Sequence, residues 1–208
     1  MSSRRYTSPT RTAAAARTRQ KLVRSAVGLL KSPDSLKKLS LESVAREAGV
    51  SRLTVYNQFG SRKGLLEAVF DDRARLGGIQ QLADAMAHPD PYQGLARLIE
   101  IFCHFWDFNR QIVTAVLGAA AADPDLRESL LKRNERRRGA LGVLVRRMHR
   151  HALPAQVVAD LVDVLFTLTN FPVFAELTQR GRDTAAACGL IQDLANAAIE
   201  RVVGKNAE

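Results

Sequence analysis

Between Ser51 and Lys63 the chain gathers Arg52, Thr54, Tyr56, Asn57, Gln58 and Arg62 into thirteen consecutive positions. Guanidinium, hydroxyl and side-chain amide groups at this density are the donors and acceptors that grip phosphate oxygens and read base edges in a major groove. Ser51 and the Arg62-Lys63 pair each stand at an expected helix start, where unpaired backbone N–H groups also favour phosphate. Such groups work only when a rigid scaffold points them the same way, so the surrounding sequence must supply one.

The scaffold is legible as short helices. Ser40 suits the N-cap of a helix over Leu41–Ala48, Ser51 caps a second running to Phe59, and Ser61 starts another that reaches Leu76 before Gly77-Gly78. Two short helices crossing steeply need a small side chain at the crossing, here Ala45, and four positions on a residue comfortable at positive φ, here Gly49. Val44, Val50, Val55 and Phe59 then anchor the pair on an earlier helix carrying Leu22, Val23, Ala26, Val27, Leu29 and Leu30, which begins at Arg17 and ends near Lys31. Asp34–Leu39 reads as a loop and residues 1–16 as a mobile basic arm. Taken singly, Gly49 is also a plain helix C-cap, Tyr56 is also half-buried packing, and Asn57 and Gln58 are also solvated polar residues.

Charge follows the same division. Residues 1–75 hold 16 Lys and Arg against 6 Asp and Glu, whereas residues 76–208 hold 15 of each, so the formal charge of +10 belongs to the first third. A basic unit joined to a neutral one fits polyanion binding at one end and a different task at the other. A basic tail explains Arg4, Arg5 and Arg11 but not Lys37, Arg46, Arg52, Arg62 and Lys63, which lie within patterned sequence.

Three pieces of the segment resemble the tetracycline-repressor (TetR) family of bacterial regulators. They are the opening Thr18-Arg19-Gln20-Lys21-Leu22, the stretch Gly49-Val50-Ser51-Arg52-Leu53-Thr54-Val55-Tyr56-Asn57-Gln58-Phe59, and Gly60-Ser61-Arg62-Lys63-Gly64-Leu65-Leu66. The resemblance covers residues 17–70 and implies a helix-turn-helix DNA-binding domain over residues 17–76. It also implies an effector-binding and dimerisation domain over residues 77–208 and a phosphate contact for Tyr56. Arg62 stands where the family usually has a phosphate-contacting Lys, and Pro33 with Lys37 and Lys38 occupies a loop where the family often has Gly. The implied activity is repression of a pseudo-palindromic operator by a homodimer that a small-molecule effector releases. A helical carrier or enzyme with a basic anchoring unit is the competing reading.

Beyond Leu76 no segment alternates with the period of a strand, so the expected fold is all-α. Asp90-Pro91 and Asp123-Pro124 each pair an N-cap with Pro at the first helical position, and the second helix is expected to run to about His151. Leu153-Pro154 opens another toward Gln179 that Pro172 should kink or interrupt, and Asp183 caps a last one to about Val203. The chain has no phosphate loop, nucleophile elbow or zinc helix, its histidines are scattered, and Cys103 and Cys188 lack a Cys-x-x-Cys partner. No catalytic group, metal ligand or cofactor is expected. Without an apolar run long enough for a membrane span or a signal peptide, the expectation is a cytoplasmic protein. Phe102, His104, Phe105, Trp106, Phe166, Asn170 and Phe174 are the candidate effector-pocket residues, although core packing accounts for the same aromatics. The basic run from Lys132 to Arg147 reads as a solvated helix face. The apolar face for self-association is expected from Leu161, Val164, Leu165, Leu168, Leu190, Leu194, Ala197, Ala198 and Val202.

Overall fold

The computed structural model describes residues 9–31, 39–148 and 153–205, and among them all regular structure is helical. In chain order the helices are α1 Pro9–Leu30, α2 Leu41–Ala48, α3 Arg52–Phe59, α4 Arg62–Leu76, α5 Leu82–Ala87, α6 Pro91–Phe108, α7 Arg110–Ala120, α8 Pro124–Arg147, α9 Ala155–Leu168, α10 Phe171–Gln179 and α11 Thr184–Lys205, with a short 3-10 turn at Ile79–Gln81 before α5. They form two compact units. The first takes the residues up to Asp72 together with Thr114–Leu126, and the second takes Arg73–Val113 and the chain from Arg127 onward.

In the first unit, α1 packs on α2 and α2 on α3. Leu22, Ala26, Leu30, Val44, Ala45, Ala48 and Val55 are all at most 2% exposed, the face that the periodicity marks. Each such Leu or Val contributes about 1.5–3 kcal/mol relative to leaving it in water, enough to hold helices of only eight residues that are unstable in isolation. Local chemistry sharpens the ends. Ser40 Oγ accepts the Ser43 N–H at 3.0 Å and Ser43 Oγ accepts the Ser40 N–H at 2.9 Å, a reciprocal cap in which Ser takes the place of the usual Glu. Gly49 then closes α2 at φ 62°, a left-handed conformation costing an L-residue roughly 1–2 kcal/mol. At α4, a Cβ on Gly64 would lie 2.1 Å from the Phe59 carbonyl oxygen, so the close turn from α3 into α4 requires the missing side chain.

The helix expected from Arg17 begins at Pro9, so the arm placed at residues 1–16 is helical over its second half. Its run Ala13–Ala16 carries no apolar stripe, yet alanine has the highest intrinsic helix propensity and needs no buried face. Residues 1–8, most of the Asp34–Leu39 loop, His149 and His151 lie outside the described residues.

In the second unit, Leu95, Leu98, Ile99, Phe102 and Cys103 of α6 meet Leu141, Leu144 and Val145 of α8, Leu161 and Leu165 of α9, Phe174 of α10 and Ile191, Ala195 and Ile199 of α11 in one buried cluster. Asp90, with Pro91 behind it, caps α6 through the Tyr92 N–H at 2.8 Å, as expected. The run from Pro154 to Gln179 is interrupted around Pro172, as expected, giving two helices bent by 44°, where Asn170 Oδ1 accepts the Val173 N–H at 2.9 Å and restarts the chain. Two elements were not anticipated, α5 and α7. Asn109 separates α6 from α7, its side chain and backbone N–H both bonding the Phe105 carbonyl oxygen. Among the described residues no single helix is long and apolar enough to cross a membrane.

Candidate nucleic-acid interface

Helix α3 is held at both ends. At its start, Ser51 Oγ accepts the Thr54 N–H at 3.1 Å and lies 2.9 Å from Thr54 Oγ1. At its end, Arg19 reaches from α1, donating from Nη1 to the Gln58 carbonyl oxygen at 2.6 Å and placing its guanidinium 4.5 Å from the centroid of Phe59. A cation at a helix C-terminus meets the negative end of the dipole, so this contact fixes both the position and the electrostatics of α3. Below, Val55 is fully buried.

With these anchors engaged, α3 turns Arg52, Leu53, Tyr56 and Asn57 outward, while Thr54, Gln58 and Phe59 are half-buried. Leu53 is 65% exposed and Tyr56 55%. Leu53 escaped the sequence reading, which looked for polar readers; an exposed leucine on an otherwise polar face is the signal that was available. Ser51 and Thr54 sit at the N-terminal edge of that face with their hydroxyls bonded to each other.

Arg62 is placed differently from the other sequence candidates. It opens α4 with Nε donating to the Leu39 carbonyl oxygen at 2.9 Å and Nη1 donating to the Asp123 carboxylate. Asp123 also accepts the Leu126 N–H at 3.1 Å, so one carboxylate caps α8 and holds Arg62. Burial pushes the Asp123 carboxyl up, but the hydrogen bonds from the Leu126 N–H and from Arg62 outweigh it and hold the group below its ordinary value. Lys63, next along α4, is half-buried. Arg17 bonds the Ala13 carbonyl oxygen within its own helix.

The effector candidates in the second unit separate. Phe102, Trp106 and Phe166 surround the guanidinium of Arg137, at 5.5, 5.8 and 4.3 Å from their ring centroids. Phe105 packs edge-on against Trp106. Phe174 is fully buried in the core beneath Arg110, and Asn170 serves as the α10 cap. His104 instead lines an open groove of about 510 Å³ with Gln81, Asp84, Arg97 and Glu100. The basic run on α8 is not uniformly solvated, since Arg137 is only 6% exposed. Its place on the row Leu126, Leu130, Arg133, Arg137, Leu141, Leu144 was readable from helical spacing. Among the described residues no group of three or more His, Cys, Asp or Glu is arranged to hold a metal ion.

The comparisons agree with this geometry. Residues 35–69 match the family model described as bacterial regulatory proteins, tetR family. No curated protein matches the chain. Among solved structures, a TetR-like transcriptional regulator from Rhodococcus sp. RHA1 superposes with a TM-score of 0.65 at 20% identity, over 86% of this chain and 93% of that one. A putative transcriptional regulator from Saccharomonospora viridis in complex with choline gives 0.65 at 17% identity, over 89% and 96%. The SmeT-triclosan complex gives 0.66 at 18% identity, over 88% and 91%. At these identities the structural likeness speaks for the fold, and the match over the helix-turn-helix speaks for the family. Residues 35–69 of the chain are thus similar to the bacterial regulatory proteins of the tetR family, on a fold shared with TetR-like regulators.

Proposed function

We propose that the chain is a ligand-released repressor that binds a pseudo-palindromic operator as a homodimer. The observation that carries this reading is the outward face of α3 in a tetR-type domain: Arg52, Leu53, Tyr56 and Asn57 exposed on a helix pinned at both ends. Arg52 and Asn57 offer guanidinium and amide to base edges, and Leu53 offers methyl contact to thymine. Tyr56, Ser51 and Lys63 contact phosphates, with Thr54 and Gln58 at the flanks. Arg62 joins them by exchanging the Asp123 carboxylate for a phosphate oxygen.

The dimer forms through α9 and α11. Leu161 and Leu165 are buried in the core of the chain itself, but Val164 and Leu194 are each 44% exposed. Val164, Ala197, Ala198 and Val202 line an apolar groove of about 430 Å³ there. A two-fold contact over this face presents two copies of α3 to two half-sites. The second unit carries the effector site between its helices, supported by the ligand complexes among the structural neighbours. Release follows by linkage: an effector that prefers the dimer mis-spaced for DNA lowers operator affinity by the factor by which DNA lowers effector affinity.

Footprinting across the DNA upstream of the chain's own coding region is the test. The expected result is a protected, pseudo-palindromic site with dimer stoichiometry in gel filtration. Protection without sequence preference would reduce the first unit to a basic anchor and support the carrier or enzyme reading.

A further inference from the structure

Arg137 sits in mid-α8, on a helical row with Leu130 and Arg133 before it and Leu141 and Leu144 after it, and is more than nine-tenths buried. Nη1 donates to the Thr169 carbonyl oxygen at 2.7 Å. Trp106 Nε1 donates to the same oxygen at 3.0 Å. The remaining surroundings are the rings of Phe102, Trp106 and Phe166. The Nε–H has no hydrogen-bond partner, and no carboxylate faces the guanidinium among the described residues; the charged neighbour is Arg138, which bonds Asp163. Burial, aided by Arg138, pushes the guanidinium down to about 10, so it remains charged at neutral pH.

A buried cation without an anion is expensive. Its desolvation costs several kcal/mol, and ring faces return only about 2 kcal/mol for a desolvated contact. Packing gives no reason for the arginine, since leucine or methionine would fill the same place among Phe102, Trp106 and Phe166. The Thr169 carbonyl does not need it either, because Trp106 already donates there. What the arrangement lacks is one negative charge, with a free N–H to receive it and aromatic walls beside it.

We propose that Arg137 anchors the effector, and that the effector is an organic acid. Its carboxylate accepts the Nε–H and a terminal N–H of the guanidinium as a bidentate pair, with its apolar body against Phe102, Trp106 and the half-buried Phe166. This rests on the reading that the second unit binds an effector. The same cage disfavours quaternary ammonium ligands, because its rings already hold the protein's own cation.

Trp106 is the sole tryptophan, so its fluorescence in the full-length chain reports the site. Benzoate, phenylacetate and octanoate are titrated against benzamide, phenylacetamide and octanamide, with choline as the cation. At least one acid should bind about tenfold or more tighter than its amide, the difference a charge-assisted pair makes. Arg137→Met should keep or raise the thermal midpoint, as replacement of buried ions by apolar groups often does, and should bind that acid no better than the amide. The proposal is overturned if amides or choline perturb Trp106 as strongly as the acids, if all the acids fail, or if Arg137→Met keeps the preference for acid. The acid-amide comparison on the unsubstituted chain holds whatever the variant does to folding. Release of the footprinted operator by a neutral or cationic compound alone would remove the anion assignment and leave the effector reading standing. A chain whose operator no compound of any charge releases would lose both.

Discussion

Asp123→Asn separates the two tasks of one carboxylate. Asparagine caps helices about as well as aspartate, so the Leu126 N–H keeps its acceptor and α8 its start. What disappears is the negative charge facing Arg62. The two side chains are 31% and 18% exposed. At an effective dielectric near 20, unit charges ~4 Å apart attract by ~4 kcal/mol, but desolvation offsets most of that, and exposed pairs are worth only ~0.2–1 kcal/mol net. The variant should therefore lose under about 1 kcal/mol, a shift of a few degrees in thermal midpoint for a chain of this size. DNA binding should move further. Arg62 no longer has to give up a carboxylate to reach its phosphate, so affinity at low salt should rise for any duplex sequence while the slope of log K against log salt stays near its starting value. Fluorescence anisotropy with a labelled duplex lacking the operator, titrated between about 50 and 200 mM salt, isolates this sequence-independent contribution. Arg62→Ala in the Asp123→Asn background should remove the gain in affinity and reduce the slope by about 0.9. If Asp123→Asn leaves affinity unchanged and Arg62→Ala changes only stability, Arg62 is a structural clamp between Leu39 and α8, and its place among the phosphate contacts falls.

Other substitutions test the positioning of α3. Arg19→Ala removes both the bond to the Gln58 carbonyl oxygen and the cover on Phe59, and should cost ~1–2 kcal/mol by denaturant unfolding while weakening operator binding. Alanine at Leu53 or Asn57 should cost ~1–3 kcal/mol at one base pair of the operator in competition assays and leave binding to unrelated DNA unchanged. Gly49→Ala should lower stability by ~1–2 kcal/mol because φ is 62° there, without altering the salt slope. Asp123 also sets an acid limit. Its folded carboxyl lies below the ordinary value, so its contribution to stability is fully present above the unfolded value of about 3.9 and is lost as pH falls through the lower folded one. Asp123→Asn should accordingly flatten the acid limb of a stability-against-pH curve.

The helices that cap themselves were legible in the sequence. Ser40, Ser51 and Asp90 are capping residues next to apolar spacing, and the structure starts helices beside each of them. The elements that escaped lack that signature. Leu82–Ala87 has no side-chain cap and is only six residues long. Arg110–Ala120 follows α6 after Asn109 alone, so its apolar pattern reads as a continuation rather than a new helix. Pro9–Ala16 was missed for the opposite reason, since alanine forms helix without burying a face and periodicity has nothing to detect.

Charged residues were the least legible, because a charge in a sequence carries no statement of its partner. Arg19, Arg62 and Arg137 look alike on the page, and each has a different fate. Arg19 found a helix C-terminus, where half a negative charge waits in the backbone. Arg62 found Asp123, sixty-one positions away, a separation that spacing rules within one helix cannot reach. Arg137 found three rings and one carbonyl oxygen but, among the described residues, no anion. Helical spacing alone does separate the last case from the others. On α8, Leu130, Leu141 and Leu144 lie on one stripe, and Arg137 falls on that stripe rather than opposite it. A long cationic side chain at the edge of such a stripe snorkels to water, while one in its middle, with Leu141 and Leu144 following it on the buried side, is held inside. A mid-stripe arginine is therefore a sequence-level marker of an internal charge, and the chemistry still owed to it is that of an anion.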